Sequence, residues 1–171
     1  MVQVEDAKPE DVVAVREISS EIFTAFGDYA RLLPRFFSSQ GVTSYVVREG
    51  ARENTRENAR GNARVLGFIL IGFLPWSGGD SGSDRWIADV LAIGVRKQHQ
   101  RKGIGKALMN RMLQLVSEME EWREVREIQL VCAESNLLAL DFFRQFGFRV
   151  IDPHHGSYAG GQKALRLGRK P

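Results

Sequence analysis

The sequence has a single cysteine, no long apolar run and no block of like charge. With Cys132 alone, the chain cannot form an internal disulfide or a CxxC pair that binds a metal or transfers electrons. Cys132 lies in an apolar run and is predicted to be buried. No window approaches the ~18 apolar residues of a membrane-spanning helix, and charged residues interrupt the first ten positions. These absences exclude a disulfide scaffold and favour a cytoplasmic enzyme or binding module.

The charge balance argues against a nucleic-acid footprint. The 24 basic and 21 acidic residues give a net charge of +3 with no long run of one sign. This balance favours an anionic small ligand over nucleic acid, although an ordinary solvated surface explains it equally well. The 171 residues, 43% of them hydrophobic, predict a single domain over 1–171 with a sizeable core.

The apolar periodicity predicts one α/β domain. A short strand at Val2 and Val4 precedes two helices, the first with an apolar stripe from Val15 to Phe26 and a break at Gly27, the second over about 28–38 with an interruption at Pro34. The later segments are strands at 42–48, 65–74, 86–95, 128–132, 148–151 and 164–167, a long helix at 103–120, and a helix that begins at Ser135 or Asn136 and ends at Gly147.

Connection lengths predict how these strands pair. The helix over 103–120 is a crossover, which favours parallel pairing of the strands on either side, while the shorter connections favour antiparallel neighbours. The fold class is therefore a mixed parallel and antiparallel sheet of about six to seven strands, flanked by about four helices.

Two segments between strands have little to bury. Residues 52–64 read RENTRENARGNAR and are predicted to be an exposed, mobile hairpin loop. A helix is the alternative, since Glu and Arg recur about four apart, but the segment lacks an apolar face and contains Gly61. Residues 75–84, with three glycines, are predicted to form a second flexible connection.

The stretch from the strand at 86–95 into the helix at 103–120 has the outline of an anion site. The unpaired N–H groups of a helix start attract anions, and glycines let a phosphate approach the backbone. Neither GxGxxG nor GxxxxGK[ST] occurs, so the stretch predicts a pyrophosphate ligand other than a simple mononucleotide. The alternative is an ordinary turn with solvated basic residues. The candidate residues are Ile93, Gly94, Val95, Gln100, Arg101, Lys102, Gly103, Ile104, Gly105 and Lys106.

A second signature follows about thirty residues later, with Ser135-Asn136 and the Phe143-x-x-x-Gly147-Phe148 end. Together with Gln100-x-x-Gly103-x-Gly105, it resembles the GNAT superfamily of acetyl-CoA-dependent N-acyltransferases. The resemblance implies that the backbone of Ile93 and Val95 binds the pantetheine arm as an added strand, and that the turn at 100–106 holds the pyrophosphate. It further implies that Asn136 contacts the cofactor, that Phe143 packs near its thiol end, and that no metal takes part.

The same resemblance implies direct attack by a neutral amine on the thioester carbonyl. Positioning of the two reactants supplies much of the acceleration. A backbone N–H near Val95 is the expected donor to the developing oxyanion, so no special side chain is needed. A base must take the proton of the amine, and an acid can return one to the departing thiolate.

Both familiar acid–base positions are changed in this chain. Many family members carry a tyrosine where this sequence has Phe143, and ribosomal-protein alanine acetyltransferases carry a glutamate where it has Val131. We take Asp89, a lone carboxylate in an apolar strand, as the candidate base, since burial would raise its pKa. The alternative is a structural carboxylate that caps a loop or pairs with Arg85. A β-bulge would reverse the direction of its side chain, so strand parity does not decide between the two.

Tyr158 is the candidate acid or acceptor-positioning group, because it lies in the connection before the last strand. An exposed loop tyrosine is the alternative. His154 and His155 make a poor metal site and are predicted to be solvated. Glu134 is another candidate base, although a surface role is favoured. The aromatic residues that would flank the acceptor groove, and that core packing also explains, are Tyr29, Phe36, Phe37 and Trp76.

The sequence therefore predicts an acetyl-CoA-dependent N-acetyltransferase that acts on a primary amine. A protein N-terminus, a lysine side chain, a polyamine, an aminoglycoside and an amino-acid metabolite all stay open as acceptors. The alternative is a non-catalytic acyl-CoA-binding sensor, motivated by Phe143 and Val131. Binding of nucleic acid through the loop at 52–64 is the least favoured hypothesis. The sequence leaves the oligomeric state open, a homodimer included.

Overall fold

The computed structural model describes residues 2–50, 63–76, 85–120 and 124–171. Within them, seven strands form one sheet in the order β1-β2-β3-β4-β5-β7-β6. The strands are β1 (Val4–Asp6), β2 (Val42–Arg48), β3 (Val65–Pro75), β4 (Arg85–Val95), β5 (Glu124–Ala133), β6 (Arg149–Ser157) and β7 (Lys163–Arg169). The helices are α1 (Val12–Ile22), α2 (Tyr29–Phe37), α3 (Ile104–Glu120) and α4 (Leu137–Gln145). The predicted α/β class and element order are confirmed.

Parallel pairing occurs where the crossover predicts it. Strands β4 and β5, which α3 connects, are parallel. The pairs β1–β2, β2–β3, β3–β4, β5–β7 and β6–β7 are antiparallel. A helix long enough to cross the sheet allows the next strand to run in the same direction, whereas short connections reverse it.

Helices cover the sheet on both faces, which we call the α3 face and the α1 face. Because side chains alternate along a strand, each covered strand contributes to two cores. On the α3 face, residues of α3 and α4 pack with alternate strand residues, among them Leu108, Met112, Phe143, Ile69, Ile71, Ile128 and Leu130. On the α1 face, α1 and α2 pack on the other set, which includes Val15, Ile18, Leu33, Val46, Phe68 and Leu70.

Three predicted boundaries in the first and last thirds of the chain are wrong. Helix α2 continues through Pro34 although proline removes one backbone hydrogen bond, because Pro34 is buried beside Leu33 and the helix ends soon afterwards. Helix α1 ends at Ile22, before the predicted break at Gly27. Strand β6 extends to Ser157, so the predicted loop around the two histidines is largely strand, paired with β7 through two register shifts.

The two polar connections lie mostly outside the described residues. Of the predicted loop at 52–64, the structure describes Ala63 and Arg64, and the N–H of Glu49 donates to the Arg64 carbonyl at 2.8 Å. Of the connection at 75–84, it describes Pro75, which still belongs to β3, and Trp76. In the described parts of the chain, no helix has the length and apolar character needed to cross a bilayer.

Candidate functional site

Strands β4 and β5 separate towards their carboxyl ends. The pairing of β4 with β5 runs as far as Val90 opposite Leu130, whereas β4 stays paired with β3 as far as Val95 opposite Gly67. Beyond Leu130, β5 is paired with β7 up to Ala133 opposite Ala164. A cleft therefore opens between the last residues of β4 and those of β5.

The backbone of Ile93 and Val95 faces this cleft. The N–H of Arg96 donates to the Leu66 carbonyl of β3 at 2.9 Å. Because alternate residues of an antiparallel strand direct their polar groups to opposite sides, Gly94 also faces β3, whereas Ile93 and Val95 face away from it. The side-chain amide of Gln100 donates to the Val95 carbonyl at 3.0 Å. Among the described strands, none pairs with these two residues on the cleft side, so an extended ligand can bind there.

The turn that follows β4 fits an anion. Arg101 and Gly103 have φ angles of 61° and 84°, and α3 begins at the next residue, Ile104. The first turn of a helix presents N–H groups with no partner inside the helix and a partial positive charge. Arg101, Lys102 and Lys106 are exposed around this helix start. The turn is thus suited to a phosphate group.

Several predicted cofactor residues place their Cα or side chain in the core. A Cβ on Gly94 would lie 2.8 Å from the Phe68 ring and 2.9 Å from Ile22, so α1 packs directly on this glycine. Gly105 lies against the ring of Phe142, and Ile104 is buried in the core of the α3 face. Any contact of Ile104 or Gly105 with a ligand must therefore come from the backbone. The backbone of Gly94 instead faces β3, so neither its Cα nor its backbone is directed to the cleft.

Asn136 and Phe143 belong to the helix beside the cleft. The Oδ1 atom of Asn136 accepts a hydrogen bond from the Ala139 N–H at 3.2 Å and caps α4, as the sequence predicts. Its amide NH₂ group is a separate donor. Phe143 is 7% exposed and packs edge-on against Phe142 and Phe148. Phe143 is thus a core residue that offers a ligand only a small part of its ring.

Asp89 lies two residues before a β-bulge at Leu91. Ile71 of β3 lies opposite Val90 and Leu70 opposite Ala92, which leaves Leu91 as the extra residue. Leu91 and Ala92 consequently both pack on the α1 face, although they are consecutive. Ala88 and Val90 are in the core of the α3 face, so the side chain of Asp89 between them points to the opposite face.

The surroundings of Asp89 raise its pKa. Burial raises the pKa of this carboxyl, while the charge of Arg166, and that of His155 in its protonated form, oppose the rise. Arg166 lies on the same face as Asp89, because its neighbours Leu165 and Leu167 are in the core of the α3 face. Arg85, the partner in the structural alternative, instead donates to Glu124 at 3.1 Å. A partly buried carboxylate with a raised pKa fits a general base.

Tyr158 lies where two connections meet. Its ring packs against Phe26 at 5.3 Å and near Tyr29 at 6.3 Å, and it is partly buried rather than exposed. The side-chain amide of Gln162 donates to the Ala25 carbonyl at 2.7 Å and ties the β6–β7 turn to the α1–α2 connection. Burial raises the pKa of Tyr158, with smaller effects from Tyr29 and Cys132, so the phenol is close to the end of β5.

The other candidate residues either have structural roles or lie outside the candidate site. Glu134 pairs with Lys163 at 3.0 Å on the surface. His154 is exposed, but His155 is partly buried, so its predicted solvation is wrong, and its Nε2 accepts from Arg166 Nη2 at 3.3 Å. In the described residues, no three or more His, Cys, Asp or Glu side chains form a group able to hold a metal. Phe36 and Phe37 pack against the core of the α1 face.

Arg166 is the residue of this face that sequence reasoning missed. The sequence of β7 does contain an indication of it, because Arg166 is a charged residue between the buried Leu165 and Leu167. Such an alternation alone does not indicate a site. What distinguishes Arg166 is its proximity to Asp89, which only the order of the strands brings about.

Comparison with known families agrees with this geometry. A sequence model of the acetyltransferase (GNAT) family matches residues 13–148, most of the chain. The chain belongs to the GNAT family. The resemblance seen in the glycine turn and in the Phe143–Phe148 segment is thereby confirmed, and the fold of this GNAT protein is the one that the resemblance implies.

Solved structures support the same fold over the whole chain. Arabidopsis thaliana NAA60 in complex with a bisubstrate analogue is 15% identical, with a TM-score of 0.80 over 100% of this chain and 99% of that one. The ribosomal-protein-S18-alanine N-acetyltransferase from Escherichia coli is 18% identical, with a TM-score of 0.68 over 99% and 94%. The PaiA N-acetyltransferase from Thermoplasma acidophilum, in complex with coenzyme A, is 14% identical, with a TM-score of 0.67 over 100% and 99%. No curated protein sequence matches this GNAT protein significantly.

Proposed function

We propose that this GNAT protein transfers the acetyl group of acetyl-CoA to a primary amine. The observation that carries the proposal is the edge of β4 after the bulge, where the backbone of Ile93 and Val95 faces a cleft that leads to the start of α3. The amides of the pantetheine arm would pair with this edge, and the turn at 100–106 would hold the diphosphate. NAA60 in complex with acetyl-CoA, a structure of the same fold, supports this choice of ligand.

Acetyl-CoA supplies an activated acyl group as a thioester. The amine nitrogen forms a bond to the acetyl carbon, the carbon–sulfur bond breaks, and coenzyme A leaves as a thiolate. The protein contributes by holding the two reactants in line, so that the reaction occurs within one complex and does not depend on a bimolecular collision. A backbone N–H on the cleft edge of β4, near Val95, would donate to the carbonyl oxygen as negative charge develops there.

Asp89 is proposed to take the proton that the amine loses. Its side chain lies on the α1 face, which is left open beside β5 and β7, where Val131 is 38% exposed and Gln129 and Arg166 are only partly buried. Burial raises the pKa of Asp89 towards the range in which a carboxylate can both hold and release a proton. The acceptor amine would therefore approach across this open part of the sheet.

Tyr158 suits a positioning role better than that of an acid. Burial raises the pKa of its phenol above the ordinary value of 10.0, whereas a thiol has a pKa of roughly 8.5. Proton transfer from Tyr158 to a thiolate would therefore be uphill. The phenol stays protonated and can donate a hydrogen bond to the acceptor or the thioester sulfur, while solvent protonates the departing thiolate.

A non-catalytic acyl-CoA sensor is the competing function. The ring of Phe143 and the exposed side chain of Val131 have no proton to give or take at positions where relatives carry such groups. A sensor would use the same cleft without needing a base. The two hypotheses thus differ in turnover and not in binding.

Calorimetric titration with coenzyme A, followed by thiol release, separates these functions. The protein is mixed with acetyl-CoA and a set of amines that covers peptide N-termini, lysine side chains, polyamines, aminoglycosides and amino acids. We expect binding of coenzyme A, and release of free thiol together with acetylated product for at least one class. Binding without turnover of any amine would favour the sensor, and absence of binding would refute both.

A further inference from the structure

Arg166 is a partly buried arginine whose charge is not matched by a carboxylate within 4.0 Å among the described residues, although Asp152 lies opposite it on β6. The other partly buried arginines have such matches or bind carbonyl oxygens: Arg48 pairs with Asp11 at 2.7 Å, and Arg169 donates to the Phe146 carbonyl at 2.6 Å. For Arg166, the hydrogen bond found among the described residues is the one to His155 Nε2 at 3.3 Å. Partial burial of an unmatched cation costs free energy that an anion from outside can recover.

The position of Arg166 relates it to the proposed base. Val131 lies between the two groups on β5, opposite Arg166 of β7, and Asp89 of β4 lies opposite Gln129 of the same β5. Asp89 and Arg166 are thus two strands apart and shifted by two residues along β5, which places their backbones about 12 Å apart on one face of the sheet. The charge of Arg166 acts on Asp89, where it opposes the rise in pKa that burial causes. One molecule can therefore reach both groups.

The contact with His155 leaves most of the guanidinium free for a ligand. Arginine only donates, so His155 accepts at Nε2 and carries its proton at Nδ1, which lies 3.6 Å from Asp152 Oδ2. This contact holds one Nη atom and so limits the directions that the guanidinium can take. Its other N–H donors form the planar fork that binds a carboxylate with two parallel hydrogen bonds.

We propose that the acceptor is a primary amine that also carries a carboxylate, and that Arg166 binds this carboxylate while Asp89 receives the proton of the amine. The proposal rests on the acetyltransferase function above and adds the class of substrate to it. Val131, exposed between the two charges, would contact the apolar part of the acceptor. Arg166 is thus a specificity-determining residue.

The test uses acceptors in matched pairs that differ only in a carboxylate. One pair is an amino acid and its amide, and another is a peptide with Asp or Asn as its second residue. The amide of an amino acid has the less basic amine, which is more often neutral, so intrinsic reactivity favours the uncharged member. We expect kcat/KM to be at least about tenfold higher for the carboxylate member, opposite to the intrinsic order.

The variant Arg166→Gln identifies the residue responsible. Measured on the pH-independent plateau of the rate, where Asp89 is ionised in both proteins, it should raise KM for the carboxylate acceptor about tenfold or more, and leave kcat/KM for the uncharged acceptor and the affinity for coenzyme A within about twofold. Arg149→Gln is the matched control, because Arg149 is an exposed arginine on the neighbouring strand β6. Equal use of both members by the unaltered enzyme, or an equal loss for both in Arg166→Gln, would overturn the proposal.

The outcome also separates this inference from the function on which it rests. Turnover of uncharged amines alone would refute the carboxylate class and leave the acetyltransferase in place. Coenzyme A binding without turnover of any amine, charged or uncharged, would refute the acetyltransferase and the carboxylate class with it. Thermal melting of Arg166→Gln, which should match that of Arg149→Gln, shows that a loss of activity is not a loss of fold.

Discussion

Strand β4 has two halves with different neighbours, divided by the bulge at Leu91. From Arg85 to Val90 the strand is paired on both edges, and from Ala92 to Val95 it is paired with β3 only. In the first half, Asp89 points to the open face of the sheet, and in the second half backbone groups face the cleft. The bulge separates them by one extra residue and so allows a single strand to offer the proposed base on one face and the proposed ligand-binding edge beside it.

The largest expected difference between the two halves of β4 is in their effect on the catalytic rate, and the variant Asp89→Asn tests it. If Asp89 is the base, the change should lower kcat by about 100- to 10,000-fold while the affinity for coenzyme A, which belongs to the second half, stays the same. Thiol release and calorimetric titration measure the two quantities. Equal losses in both would mean that the halves are not separate.

The pH dependence of the same variant gives a second check. A base must be deprotonated, so the rate should fall as the pH drops through the pKa of Asp89, which burial raises above the usual 3.8. The rate of the Asp89→Asn variant should not show this fall, and it should rise at high pH, where the amine is already neutral. Because the folded state holds this proton more tightly than the unfolded one, the ionised Asp89 lowers stability as the pH rises past 3.8. The asparagine variant should therefore melt no lower at neutral pH.

Local patterns were sufficient for most of the fold. Alternating and helical apolar spacings decide strand or helix without reference to the rest of the chain, and the length of α3 decides the parallel pair. The predictions that failed depend on tertiary packing. Burial of Pro34 keeps α2 intact despite the missing N–H, and pairing with β7 extends β6 beyond the proline and histidines that mark a loop.

Two parts of the candidate site that depend on backbone conformation could be predicted from the sequence. The glycine turn before α3 and the cap at Asn136 were read correctly as turn and cap because both need particular residue types. The direction of the Asp89 side chain could not be predicted. Strand β4 is apolar on both faces, so its sequence pattern does not show that Leu91 is an extra residue. Arg166 was missed because only the order of the strands in the sheet brings it near Asp89, and the sequence pattern does not determine that order.

The second half of β4 should act with the turn that follows it, and Gly103→Val tests this link. A side chain on the turn would block a diphosphate from the backbone and strain a residue at φ 84°. Loss of one hydrogen bond to a charged group, about 1.5–3 kcal/mol, corresponds to an affinity for coenzyme A lower by about 10- to 100-fold.

A glycine elsewhere provides the matched control for that change. Gly41 has a φ of 83°, and a Cβ there, as on Gly103, would meet no atom within 4 Å. Gly41→Val should therefore cost about the same 1–2 kcal/mol of backbone strain and leave the affinity for coenzyme A unchanged. If both variants lost affinity equally, strain rather than ligand approach would explain the result at Gly103.

The smallest expected difference between the halves concerns packing, and Gly94→Ala measures it. The added methyl would lie 2.8 Å from Phe68 and 2.9 Å from Ile22, so the free energy of unfolding should fall by about 1–3 kcal/mol. Beside the first half, Gly72 of β3 lies opposite Asp89. A methyl group added by Gly72→Ala would meet the movable side chain of Leu91 at 3.3 Å and should cost less. Urea unfolding gives both values. Gly94 faces β3 with its backbone, so coenzyme A affinity should survive; its loss without destabilisation would place Gly94 in the binding edge itself.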